Sequence, residues 1–186
     1  MKLDAAGWLV GARHVASPNF DARPPGMVVD TLLIHHISLP PERFSGDAIE
    51  RFFTNRLDPQ AHPYFEHLCG VRVSAHFLLR RRGELLQFVA CGERAWHAGA
   101  SQLLERERCN DFSIGIELEG SSRRPFTRAQ YRRLASLIVS LRRRYPLHYI
   151  AGHSDIAPGR KEDPGPHFDW SEVAGALQLA GIRRPF

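Results

Sequence analysis

Histidines at two distant points of this chain are placed where a metal could be held. The apolar run "LLIHHISLPP" stops on His35 and His36, and far downstream "LHYIAGH" stops on His153. Loops gather side chains over a cleft at the ends of sheet strands, so His35 and His153 are candidate nitrogen ligands. A catalytic zinc ion takes three protein ligands and keeps a fourth position open. Asp163 is the candidate third ligand: Pro164 biases it toward an extended backbone, and its loop directly follows His153. His36 points to the opposite face from His35 if the strand persists, which leaves it outside the metal set. The plainer reading of these histidines is a pair of neutral rings hydrogen-bonded at the edge of the core. With 10 histidines in the chain and no local HxxH spacing, chance placement alone supplies such pairs.

An acidic residue inside a strongly apolar strand is the second chemical signal. In "DFSIGIELEG", Ile114, Ile116 and Leu118 share one face, while Ser113, Gly115, Glu117 and Glu119 share the other. Burying Glu117 is expensive unless it is paired or functional, and Gly115 clears space beside it. As a base next to a metal-activated water it fits; as the partner of one of many arginines it fits equally well. Lys161, two residues before Asp163, would sit near the same point and could stabilise an oxyanion, or be a solvated loop lysine.

These side chains need strands and loops to bring them together. "MVVDTLLI" from Met27 to Ile34 predicts a mostly buried strand ending at the histidines. Residues 46–55 carry helical spacing at Ile49, Phe52 and Phe53, and an irregular loop follows. Strands over about 74–81 and 84–89 form a hairpin around Arg82-Gly83. Thr127 is a candidate N-cap for a helix with a Leu134, Leu137, Ile138 and Leu141 stripe, stopped by Pro146. A last helix covers about 170–180, and the whole chain, 1–186, is expected to be one domain.

Composition narrows the classes. A hydrophobic fraction of 43% with 24% charged residues is that of a folded globular protein. No run approaches the roughly 20 apolar residues that cross a bilayer, and the N-terminus makes a poor signal peptide. Three cysteines without CxxC spacing argue against a disulfide framework and for a reducing cytoplasm. The net charge of +5 lies in short arginine clusters without interleaved aromatics, so nucleic acid is disfavoured and a small anionic substrate suits.

The blocks "HHISLPP", "DPQAHPYF", "VRVSAHFLLRRRGELLQFV", "RAWHAG", "ERERCNDFSIGIELEG" and "GHSDIAPGRKEDPGPHFDW" closely resemble the zinc-dependent N-acetylmuramoyl-L-alanine amidase family. The likeness runs from Gly7 to about Trp170. It implies an α/β (α+β) fold, a mixed central β-sheet flanked by helices, as in peptidoglycan-recognition proteins. It implies Zn2+ held by His35, His153 and Asp163, with Glu117 and Lys161 as catalytic residues. The cytosolic branch of the family acts on 1,6-anhydro-muropeptides in cell-wall recycling, so the resemblance implies a monomeric cytoplasmic hydrolase without nucleic-acid or membrane partners. Arg72 and Arg108 become candidates to bind substrate carboxylates, and Trp96 and His97 to line the sugar or peptide cleft. His36 stands where relatives are expected to carry asparagine, which makes it a candidate for substrate specificity.

Overall fold

The computed structural model describes residues 1–186. Ten strands follow in chain order: β1 (Arg13–His14), β2 (Phe20–Asp21), β3 (Thr31–Ile37), β4 (Phe77–Leu79), β5 (Leu85–Gln87), β6 (Arg94–Ala95), β7 (Gln102–Leu103), β8 (Arg106–Glu107), β9 (Ser113–Glu119) and β10 (Tyr149–Gly152). Five α-helices accompany them: α1 (Ala48–Phe53), α2 (Pro63–Glu66), α3 (Arg128–Arg142), α4 (His153–Ile156) and α5 (Ser171–Ala180).

Six strands form one mixed sheet in the order β1-β5-β4-β9-β3-β10. The pairs β4–β9, β9–β3 and β3–β10 are parallel, and the β4–β5 hairpin is antiparallel. Every residue of β9 is buried, because elements cover the sheet on both sides. On one side lie the apolar stripes of α3 and α5, where Leu134, Leu137, Ile138, Leu141, Val173 and Leu177 pack with Leu32, Ile34, Ile114 and Ile116. Each fully buried Leu or Ile here contributes about 1.5–3 kcal/mol. A smaller cluster around Leu33, Ala98, Phe112 and Ala151 covers the other side.

Helix α3 starts where its cap dictates. Thr127 accepts from the Gln130 backbone N–H, the Gln130 side chain accepts from the Thr127 N–H, and the Gln130 amide also donates to the carbonyls of Leu79 and Glu119. One capping box thus fixes the helix start and docks it on the ends of β4 and β9. The hairpin turn depends on Gly83, whose φ of 84° lies in the left-handed region.

Strand β3 departs from its sequence reading. It begins at Thr31 and runs through both histidines to Ile37, with His35 opposite Glu117 and His36 opposite Leu118 on β9. Met27 and Val28 are exposed instead. The pull of the neighbouring strand extends the ladder past the apolar run, because a polar side chain does not prevent its backbone from pairing. His153 likewise lies one residue beyond its strand, opening α4.

Candidate active site

The carboxyl ends of three adjacent parallel strands carry the candidate residues. His35 sits near the end of β3, Glu117 near the end of β9, and His153 directly after β10. Ligand sites in open α/β sheets gather at this edge. Asp163 joins them from the loop after α4, which is pinned by the Ser154 N–H donating to the Asp163 carbonyl at 2.8 Å. Gly152 lets that loop approach: a Cβ there would lie 2.6 Å from Pro164.

Three donor atoms converge. His35 Nδ1 and His153 Nδ1 lie 2.9 and 3.1 Å from Asp163 Oδ2, and 3.0 Å from each other. Zinc bonds of about 2.0–2.1 Å at tetrahedral angles separate ligand atoms by about 3.3 Å, so a small cation fits among these three with slight expansion. The outer nitrogen of His153 faces the Ala98 carbonyl at 3.2 Å. A carbonyl only accepts, so His153 Nε2 holds the proton and Nδ1 turns its lone pair inward. All three side chains are buried. Burial pushes the Asp163 carboxyl up, but its close contacts with His153 and His35 outweigh that and hold the group far below its ordinary range. Burial keeps His35 below its ordinary value, which preserves the neutral ring a metal requires.

Glu117 is buried and its Oε2 has no hydrogen-bond partner. Burial, reinforced by the Asp163 charge, pushes its carboxyl well above the ordinary 4.5, with Lys161 acting in the opposite direction. The arginine pairing that sequence left open does not occur at Glu117; Arg80 bonds Glu119 instead. A buried, unpaired carboxyl with a raised pKa beside a metal-ligand set has the properties of a general base.

Above these groups opens a cleft of about 540 Å³ whose wall includes His36, Trp96, His97, Lys161 and Arg123. Trp96 donates its indole N–H to Asp21 at 3.1 Å, which fixes the ring in the wall. His36 reaches the cleft although it leaves β3 on the other side from His35, and its buried Nε2 is unpartnered.

The family model for N-acetylmuramoyl-L-alanine amidases matches residues 25–166. The chain belongs to this family. It is 54% identical, over 167 residues, to the 1,6-anhydro-N-acetylmuramyl-L-alanine amidase AmpD of Escherichia coli strain K12, covering 89% of this chain and 91% of that protein. A crystal structure of a Se-Met AmpD derivative superposes with a TM-score of 0.91 at 50% identity, covering 95% of this chain and 99% of that one. The Escherichia coli amidase AmiD, solved with anhydro-N-acetylmuramic acid-L-Ala-D-γ-Glu-L-Lys as substrate, superposes at 0.58 with 29% identity, covering 83% and 60%.

As an amidase the chain brings together in one cleft eight of the residues singled out from sequence: His35, His153, Asp163, Glu117, Lys161, His36, Trp96 and His97. Two others do not join them. Arg72 edges a separate, smaller depression beside Phe65 and Leu68, and Arg108 points into solvent while pairing with Asp111 at 3.2 Å. Sequence blocks carry no information on which way an exposed arginine turns from its loop. Arg123 is the arginine that lines the cleft, and nothing in its loop, "SSRRPF", marks it in advance. Ser113 was also passed over as a mere strand residue, although it lies on the same face as Glu117.

Proposed function

We propose that this chain is a zinc-dependent hydrolase that cleaves the amide between N-acetylmuramic acid, in its 1,6-anhydro form, and L-alanine of the stem peptide. The single observation that carries the zinc reading is the meeting of His35, His153 and Asp163 with two imidazole lone pairs and a carboxylate oxygen about one tetrahedral edge apart. The substrate reading is supported by the printed activity of the AmpD relatives and by the ligand bound to AmiD. The same relatives support a role in peptidoglycan recycling, and three free cysteines suit an enzyme of the reducing cytoplasm.

When bound by His35, His153 and Asp163, zinc supplies Lewis acidity and lowers the pKa of water. The Glu117 carboxylate takes the proton of the attacking water and delivers it to the leaving alanine nitrogen. Burial without a competing hydrogen bond keeps this carboxylate basic enough for the first transfer and acidic enough for the second. Lys161, on the exposed rim, offers its ammonium to the oxyanion that develops on the lactyl carbonyl. Trp96, held by Asp21, gives the sugar or peptide an apolar wall.

Mass-spectrometric product analysis tests this reading. Purified protein should release free stem peptide from anhydro-muropeptide, less from intact murein, and none after chelation. Full peptide release by metal-free protein would remove zinc from the reading; release from murein alone would remove the anhydro substrate.

A further inference from the structure

His97 meets His35 edge-on, with ring centroids 5.1 Å apart. The protons in this contact can be traced from a fixed end. Ser113 Oγ lies 2.5 Å from the Cys109 carbonyl, which only accepts, so the hydroxyl proton is committed there. Ser113 is left with lone pairs. His97 Nε2, 3.4 Å away, is therefore the donor in its contact with Ser113. A neutral imidazole with a proton on Nε2 has its lone pair on Nδ1, and His97 Nδ1 lies 3.1 Å from His35 Nε2. With a cation among the three facing donor atoms, His35 donates across that contact. Its Nδ1 is then bare, and this is the atom that faces Asp163 Oδ2 and His153 Nδ1.

Two further observations point the same way. Gly115 has an ordinary strand conformation, yet a Cβ there would lie 2.5 Å from both Cγ and Nδ1 of His97. The missing side chain on β9 is the seat of the His97 ring. Asn110 Oδ1 accepts from the backbone N–H groups of both His97 and Ala98, at 3.1 and 2.8 Å. One side-chain oxygen thus anchors the ring that faces His35 and the carbonyl that faces His153.

We propose that His97, oriented by Ser113 and seated on Gly115, is a positioning residue that accepts the hydrogen bond of the His35 Nε2–H and holds Nδ1 bare toward zinc. Ala98 does the corresponding work for His153 through its carbonyl. This rests on the zinc reading above. It moves His97 from the substrate wall to the support of a ligand, gives Ser113 a role that its place on a strand did not suggest, and names the ring that fills the space Gly115 clears.

The first test is spectroscopic. In zinc-loaded protein labelled with 15N-histidine, long-range 1H–15N spectra report which ring nitrogen holds each proton; His97 should be protonated at Nε2 and bare at Nδ1. A proton on His97 Nδ1 overturns the proposal. The second test is zinc affinity by competition with a chromogenic chelator, with thermal melts of the metal-free variants as a control for folding. His97→Leu removes the acceptor and should weaken zinc binding by about 10–100-fold. His97→Gln keeps an acceptor and a donor and should recover most of that loss; Ser113→Ala and Gly115→Ala should fall between. Unchanged affinity in a folded His97→Leu protein, or equal loss in the Leu and Gln variants, overturns the proposal. Failure of the wild-type protein to bind zinc overturns the zinc reading and the proposal that rests on it, whereas loss confined to the variants leaves the zinc reading untouched.

Discussion

Glu119 and Glu117 leave the same face of β9, two residues apart, and meet opposite surroundings. Both oxygens of Glu119 are used: Oε1 accepts from Arg80 Nη1 at 2.7 Å and Oε2 from the Arg81 backbone N–H at 3.1 Å. The network continues outward, with Arg80 donating to Glu50 at 2.6 Å and Glu50 held in turn by Arg13. At Glu117 the second oxygen is buried with no partner, and no cation is bonded to the side chain. Saturated charge of the first kind fixes one arrangement of the β4–β5 hairpin against β9. Unsaturated charge of the second kind is held in a state that a proton completes.

The contrast breaks first at the chemistry. Glu117→Gln should lower turnover of anhydro-muropeptide by about 10²–10⁴-fold while retaining zinc, because it removes the proton carrier and leaves the ligands. Measured kcat and zinc content together check this; a glutamine variant with near-normal turnover would place the base elsewhere. Next comes the saturated side. Arg80→Ala strands Glu119 in the interior and should cost about 3–5 kcal/mol in urea unfolding, with zinc affinity of the folded protein unchanged. A smaller loss, below about 1 kcal/mol, would mean that Glu50 and Glu119 are far wetter than their burial indicates.

The smallest effect has the most informative sign. Because the Glu117 carboxyl is raised above 4.5 in the fold, the native state favours its protonated form. The metal-free protein should therefore lose stability as pH rises from about 4.5 through the folded value. Glu117→Gln cannot ionise, so at about pH 8 it should be more stable than wild type by about 1–3 kcal/mol, with the advantage fading below about pH 4.5. Unfolding of both metal-free proteins at the two pH values checks it. A glutamine variant less stable than wild type at the higher pH would show that Glu117 has a partner in solution.

Much of this arrangement was legible in residue order, for definite reasons. Strong local signals survive folding: Thr127 with Gln130 forms the capping box, the leucine stripe of α3 is buried, and Ser171–Ala180 is a helix as its spacing requires. His35, His153 and Asp163 could be nominated because strand ends and a proline-stiffened loop constrain where side chains converge. The start of β3 was misjudged because Met27 and Val28 carry strand propensity without a neighbour to pair with. The direction of Arg72 and Arg108 was beyond reach, since an exposed guanidinium on a loop is set by its surroundings and not by its own sequence. Ser113 was invisible as a site residue, and the space that Gly115 clears had no named occupant, because His97 comes from an irregular segment whose path no periodicity describes.

The cleft has one further property. Its proposed metal ligands and base ride on the buried sheet and the loop closing onto it, whereas much of its wall comes from segments around Ser38–Glu42, Tyr64–Val73 and Ser121–Arg123. These wall segments hold neither a ligand nor the base. Exchanging them between relatives is therefore a route to new peptide preferences that leaves bond cleavage intact, so directed evolution of selectivity should begin at the wall and leave the sheet edge fixed.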